Sequence, residues 1–139
     1  MGQLTLEQSG LEVERLAKWL DEEEVALAIP KRVAFAVRLC VEEVVSNLIR
    51  YTSKTSEGLK IRLELTRQET ALIAVIEDYG PPFDLRTATA YSPAKDLEAA
   101  SVGGWGIHLI RSYADEIVYQ SGPSCNRLKL IFEEPDVVN

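Results

Sequence analysis

The chain has 139 residues, 46% of them hydrophobic, which suits one compact domain with an ordinary buried core and leaves little room for a second. Fifteen Lys and Arg stand against 22 Asp and Glu, and a net charge of −7 argues against a surface that tracks nucleic acid, because a phosphate backbone needs clustered cations. Gln3, Glu7, Glu12, Glu14 and Arg15 interrupt the first twenty residues and nowhere do eighteen apolar residues run together, so neither a signal peptide nor a membrane span is expected and the reading is a soluble, cytoplasmic protein.

In chain order, QLTLEQ (residues 3–8) alternates at Leu4 and Leu6 as a short strand does. Ser9 and Glu12 have capping-box spacing, and Val13, Leu16, Ala17 and Leu20 then recur at helical intervals, predicting a first helix. Pro30 sits where helices begin, and from there to about Tyr51 the positions Val33, Val37, Val41, Val44 and Leu48 fall along one side of a long second helix. KIRLELT (60–66) alternates like a half-buried strand, whereas ALIAVI (71–76) is apolar throughout and reads as an interior strand, with RQET (67–70) turning between them. Asp78 falls where that inner strand stops. From Asp84 to Gly103 runs a polar, irregular stretch, longer than the roughly 12 to 15 residues that structureless loops usually reach, and its length is itself a functional hint. WGIHLIRSYAD (105–115) resumes helical spacing through Ile107, Ile110 and Ala114, and the strands EIVYQ and RLKLIF follow, around the turn SGPSCN. This order implies an α+β, two-layer sandwich with helices on one sheet face. Cys40, in the apolar stripe, and Cys125, in the turn, lack metal-ligand spacing and are too few for a disulfide scaffold, so both are read as reduced thiols.

Three short stretches carry chemistry. In VEEVVSN (41–47), Glu43 and Asn47 are four apart and share a helix face, while Glu42 lies roughly 140° from Asn47. A carboxylate beside an amide can serve a phosphate site, the first deprotonating a hydroxyl and the second offering an oxygen to magnesium, which needs few protein ligands. Taken alone the pair is more simply two polar residues flanking a solvated strip. In DYGPPFD (78–84), a strand-end Asp78 can accept a hydrogen bond from an amine such as adenine's, Gly80 lets backbone approach a base, and Pro81 and Pro82 stiffen the exit. By itself it is equally a Gly/Pro turn capping a strand. GGWG (103–106) precedes a helix, where glycines expose backbone N–H groups and a positive dipole end suited to polyphosphate.

In this order the three stretches resemble the N, G1 and G2 boxes of the GHKL (histidine kinase-like) ATPase superfamily, most closely its anti-sigma factor serine/threonine kinases, over nearly the whole chain. The resemblance implies a single ATPase domain over 1–139, a mixed, mostly antiparallel sheet, and an ATP lid at about 84–103. It makes Glu43 the catalytic base and Asn47 the magnesium ligand. It places Asp78, with Gly80 and Phe83, at adenine, and Gly104 and Gly106 at the phosphates. ATP and Mg2+ are the implied cofactors. A sigma factor and a STAS-domain anti-anti-sigma protein are the implied partners, and a homodimer is the implied assembly. Tyr51 stands where many members place a histidine; no basic residue precedes the glycines, and Trp105 sits between Gly104 and Gly106. Lys95 lies in the lid as a lone cation, more simply solvated than functional. Asn126 and Arg127 resemble a position near the nucleotide, with a turn role for Asn126 equally open. His108 lies within the helix after the glycines, which suits a partly buried structural residue better than a phosphoacceptor. Two functions follow: an ATP-dependent kinase that phosphorylates the STAS partner and sequesters the sigma factor, or a nucleotide-binding module that sequesters a partner without phosphotransfer.

Overall fold

The computed structural model describes residues 2–7, 12–52, 60–79, 110–123 and 125–134. Its elements are β1 (Gly2–Glu7), α1 (Glu12–Ala26), α2 (Lys31–Thr52), β2 (Lys60–Gln68), β3 (Ala71–Asp78), β4 (Glu116–Ser121) and β5 (Asn126–Glu133). Residues 110–113 are also helical. The strands form one five-stranded sheet in the order β1-β2-β3-β5-β4, and each pairing among the described residues is antiparallel. This is the expected α+β sandwich.

Strand periodicity decides which face is covered. Ile61, Leu63 and Leu65 of β2, Leu72, Ala74 and Ile76 of β3, and Leu128, Leu130 and Phe132 of β5 alternate onto one face and are buried there with the stripe of α2 and with Leu16, Trp19 and Leu20 of α1. Packed thus, α2 lies against β3 and β5, and α1 against β1 and α2. Each position of the predicted α2 stripe, Val33, Val37, Val41, Val44 and Leu48, is buried. The unbroken apolar run of β3 suits the middle of the sheet: on the opposite face Val75 is still only 7% exposed, flanked by Glu64 and Lys129, whose aliphatic stems can cover it. One expectation is corrected. The β2–β3 turn is two residues, Glu69 and Thr70, and not the four of RQET, because Arg67 and Gln68 pair with Leu72 and Ala71 and so continue the ladder. The proposed cap at Ser9 lies outside the described residues.

Helix α1 stops in a hydrogen-bond pattern legible residue by residue. The Ile29 N–H donates to Glu24 O at 2.9 Å and the Ala28 N–H to Val25 O at 3.1 Å, which is a Schellman motif with Ala28 in the left-handed position at φ 50°. Buried Ile29 supplies the apolar contact, and the Arg67 guanidinium donates to the Leu27 and Ala28 carbonyls at 2.9 and 2.7 Å and to Glu134 at 2.6 Å. A Cβ at positive φ is strained, so Ala28→Gly is expected to raise the unfolding free energy by about 0.5–1 kcal/mol, read as a higher urea midpoint at unchanged slope.

Cys40 is fully buried in the α2 stripe, and burial pushes its thiol up from an ordinary value of 9.0 to about 12. Below pH 9 the thiol is protonated in both folded and unfolded chains. Between pH 9 and 12 the unfolded chain gives up the proton and the folded one keeps it, so this group makes stability fall as pH rises. The fall is up to about 1.4 kcal/mol per pH unit. Urea midpoints at about pH 8 and about pH 10.5 are therefore expected to separate less in Cys40→Ala than in the wild type.

Candidate functional site

The site is built where the covered face runs out of apolar residues. At one end of the sheet Asp78, the last residue of β3, stands directly opposite Asn126, the first of β5, and Asn126 in turn opposes Ser121, the last of β4. All three fall on the core-side register, since they are two residues beyond Ile76, Leu128 and Tyr119. Asp78 and Asn126 are only 6% and 3% exposed, the buried polar residues of an otherwise apolar interior among the described residues. A buried carboxylate requires a donor. Asn126 provides it, its Nδ2 donating to Asp78 Oδ1 at 3.1 Å, while the Ser121 Oγ–H donates to Asn126 Oδ1 at 3.0 Å.

Helix α2 crosses this end of the sheet and brings the second predicted residue. Val44, Asn47 and Leu48 from α2, Ile76 and Asp78 from β3, Tyr119 from β4 and Leu128 from β5 line a small cleft, part of it open to solvent. Small-molecule sites pair apolar walls with a few placed polar groups. This lining has that character: Val44, Leu48, Ile76 and Leu128 can cover the faces of a flat ring, and the Asp78 carboxylate can accept from an amine at its edge. Asn47 contributes an amide at the same cleft, a donor set consistent with magnesium, a cation that binds few protein ligands and fills its sphere with water and phosphate oxygens. Among the described residues no three His, Cys, Asp or Glu side chains gather into a metal cluster.

Two of the predicted site residues, Asn47 and Asp78, thus meet in one cleft although they come from separate elements. Glu43 lies one turn before Asn47 on α2, half-buried, and is not part of the cleft lining. Gly80, Phe83, Gly104 and Gly106 lie outside the described residues, as do the expected lid at 84–103, Lys95, Trp105 and His108. Tyr51 is a helical residue near the end of α2. Beyond Asp78, half-exposed Tyr79 turns to the opposite face, where Lys60 Nζ sits 6.0 Å from its ring centroid, a cation–π contact at the strand's exit. Cys125 precedes Asn126 and its thiol donates to Glu77 Oε2 at 3.5 Å; burial first, then that carboxylate, hold its pKa above the ordinary value, so it stays protonated at neutral pH. Ile76, Tyr119 and Leu128 enter the sequence reading only as strand residues. Strand alternation places all three on the core face, but only the β4–β5 register shows that Tyr119 and Leu128 stand beside each other.

Residues 6–132 match the family described as the histidine kinase-like ATPase domain, almost the whole chain. The chain belongs to this family. Among curated relatives, the serine/threonine-protein kinase BtrW of Bordetella bronchiseptica is 29% identical over 114 residues, covering 81% of this chain and 79% of that one. The serine-protein kinase RsbW of Listeria monocytogenes is 29% identical over 104 residues, covering 70% of this chain and 66% of its own length. Solved structures agree on the fold: a histidine kinase domain from Erythrobacter litoralis superimposes with a TM-score of 0.56 at 13% identity, over 87% of this chain and 60% of that one. The catalytic domain of the histidine kinase ThkA does so at 0.51 and 10% identity, over 96% and 97%. The family implies ATP binding.

Proposed function

We propose that the protein is an ATP-dependent serine/threonine protein kinase that acts as an anti-sigma factor by partner switching, phosphorylating a STAS-type anti-anti-sigma protein and sequestering a sigma factor. The observation that supports it most is the meeting of Asn47 and Asp78 in one apolar-walled cleft, in a chain whose relatives BtrW and RsbW are named as serine kinases. In this reading Asp78 selects the base by accepting from its amino group. Val44, Leu48, Ile76 and Leu128 hold the ring and keep water from it. Magnesium bound through Asn47 would offset the phosphate charge. Glu43 takes the proton from the acceptor hydroxyl as that oxygen attacks the γ-phosphorus and ADP leaves. Gly80 and Phe83 beside the base, Gly104 and Gly106 at the phosphates and the 84–103 lid complete the site by family resemblance. Regulation of transcription, a cytoplasmic setting and a homodimer belong to the same proposal.

The position of Glu43 outside the cleft lining favours a second reading, in which the protein binds nucleotide and sequesters its partner without transferring phosphate. Incubation with γ-labelled ATP and a candidate STAS protein decides between them. Label on the acceptor Ser or Thr supports the kinase. ATP binding with no transfer to any STAS protein encoded nearby supports the sequestering module.

A further inference from the structure

At the end of the sheet away from Asp78, two large apolar side chains stand together in solvent. Phe35, near the start of α2, is 60% exposed, and Tyr113, at the end of the 110–113 helical turn, is 42% exposed; their rings meet edge to face, with centroids 6.1 Å apart and planes at 71°. A single exposed aromatic is ordinary, but this pair borders a groove that has buried Val33 and Phe132 at its base. Charge lines the same groove: α2 contributes Arg32, and the chain around the start of β4 and the end of β5 contributes Asp115, Glu133 and Glu134. Two of these carboxylates are already engaged, since Asp115 Oδ2 accepts from the Glu133 N–H at 2.7 Å and Glu134 Oε1 accepts from Arg67 at 2.6 Å. The exposed Glu133 carboxylate has no hydrogen-bond or ion-pair partner among the described residues.

We infer that this groove is a docking site for a protein partner that presents an arginine beside apolar residues. Both chemistries of the groove select that side chain. A planar guanidinium can lie over an aromatic ring while its N–H groups reach a carboxylate, and its methylene stem covers apolar surface. The lining holds three carboxylates against Arg32 alone, on a chain of net charge −7, so an acidic or phosphate-bearing partner is repelled where a cationic one is drawn in. Aromatic side chains ringed by polar ones are also the composition of interface centres. The groove is separate from the cleft that holds Asn47 and Asp78. Phe35 and Asn47 lie about 18 Å apart along the α2 axis, and Glu133 and Asn126 are the two ends of β5. A partner held here leaves the cleft open, and its docking does not depend on what the cleft takes.

The experiment follows the backbone amide signals of the isotope-labelled full chain by NMR during titration with the peptide acetyl-Leu-Arg-Leu-amide, and with its counterpart carrying citrulline, the neutral isostere of arginine. The arginine peptide is expected to shift the amides of Phe35, Tyr113 and Glu133, and the citrulline peptide to bind about 10-fold more weakly. Phe35→Ala should weaken the arginine peptide about 5-fold and Glu133→Gln about 3-fold. Both side chains are exposed, so unfolding midpoints should stay at the wild-type value. No shift at these amides, or equal affinity for the two peptides, overturns the inference. The same signals moving on dilution of the protein alone would assign the groove to a second copy of the chain, and contacts from residues 135–139 to the two rings in the free protein would assign it to the chain's own end; either result overturns it as well.

Discussion

Replacing Asp78 with asparagine is expected to weaken ATP binding about 100-fold while leaving the fold intact. The substitution is isosteric, and Asn126 still finds an acceptor in the new amide's oxygen. With that oxygen turned to Asn126, the new NH2 group faces the cleft and meets the amino group of adenine donor to donor. The loss is therefore larger than that of one neutral hydrogen bond, since a buried site built to accept leaves unpaired groups when it no longer can. The same geometry predicts that the variant loses less affinity for inosine 5′-triphosphate, whose 6-oxo group accepts, than for ATP. Calorimetric titration of both nucleotides into both proteins, with unfolding midpoints to confirm the fold, checks the result.

The second large effect is expected at Glu43. Removing a general base typically slows proton transfer by about 10²–10⁴-fold, so Glu43→Gln should depress single-turnover phosphotransfer by that much. The glutamine keeps the size of the side chain and its place on the α2 face, and Glu43 is not part of the cleft wall, so ATP affinity should stay within about twofold. Quenched-flow transfer of labelled phosphate, measured at saturating ATP, separates the two quantities. An unchanged transfer rate removes Glu43 from the chemistry and leaves proton removal to another group.

Much of the fold was legible because its elements are strongly periodic. The α2 stripe repeats every three or four residues and every predicted stripe position is buried, and the continuous apolar run of β3 marks the centre of the sheet. Boundaries were less so. Arg67 and Gln68 look like turn residues on composition, yet they extend β2 because the antiparallel ladder gives their backbone groups partners. At the site, the helix spacing of Glu43 and Asn47 and the strand-end position of Asp78 were readable locally. The bond to Asp78 was not: Asn126 reaches it, and Ser121 reaches Asn126, through a strand register set by distant residues, and Asn126 in a turn-like segment reads equally as a turn former. Tyr119 escaped notice for the same reason. It looks like an ordinary strand aromatic until β4 is laid beside β5 and its ring joins Leu128 at the cleft.

The most direct test of the central claim, that the cleft shared by Asn47 and Asp78 holds a magnesium nucleotide, is titration of ATP into the wild-type protein and Asp78→Asn, each with and without magnesium. Saturable binding to the wild type is expected, strengthened by magnesium and about 100-fold weaker in Asp78→Asn. Equal affinity in the two proteins would contradict it, because ATP would then be bound without the carboxylate around which the site is built.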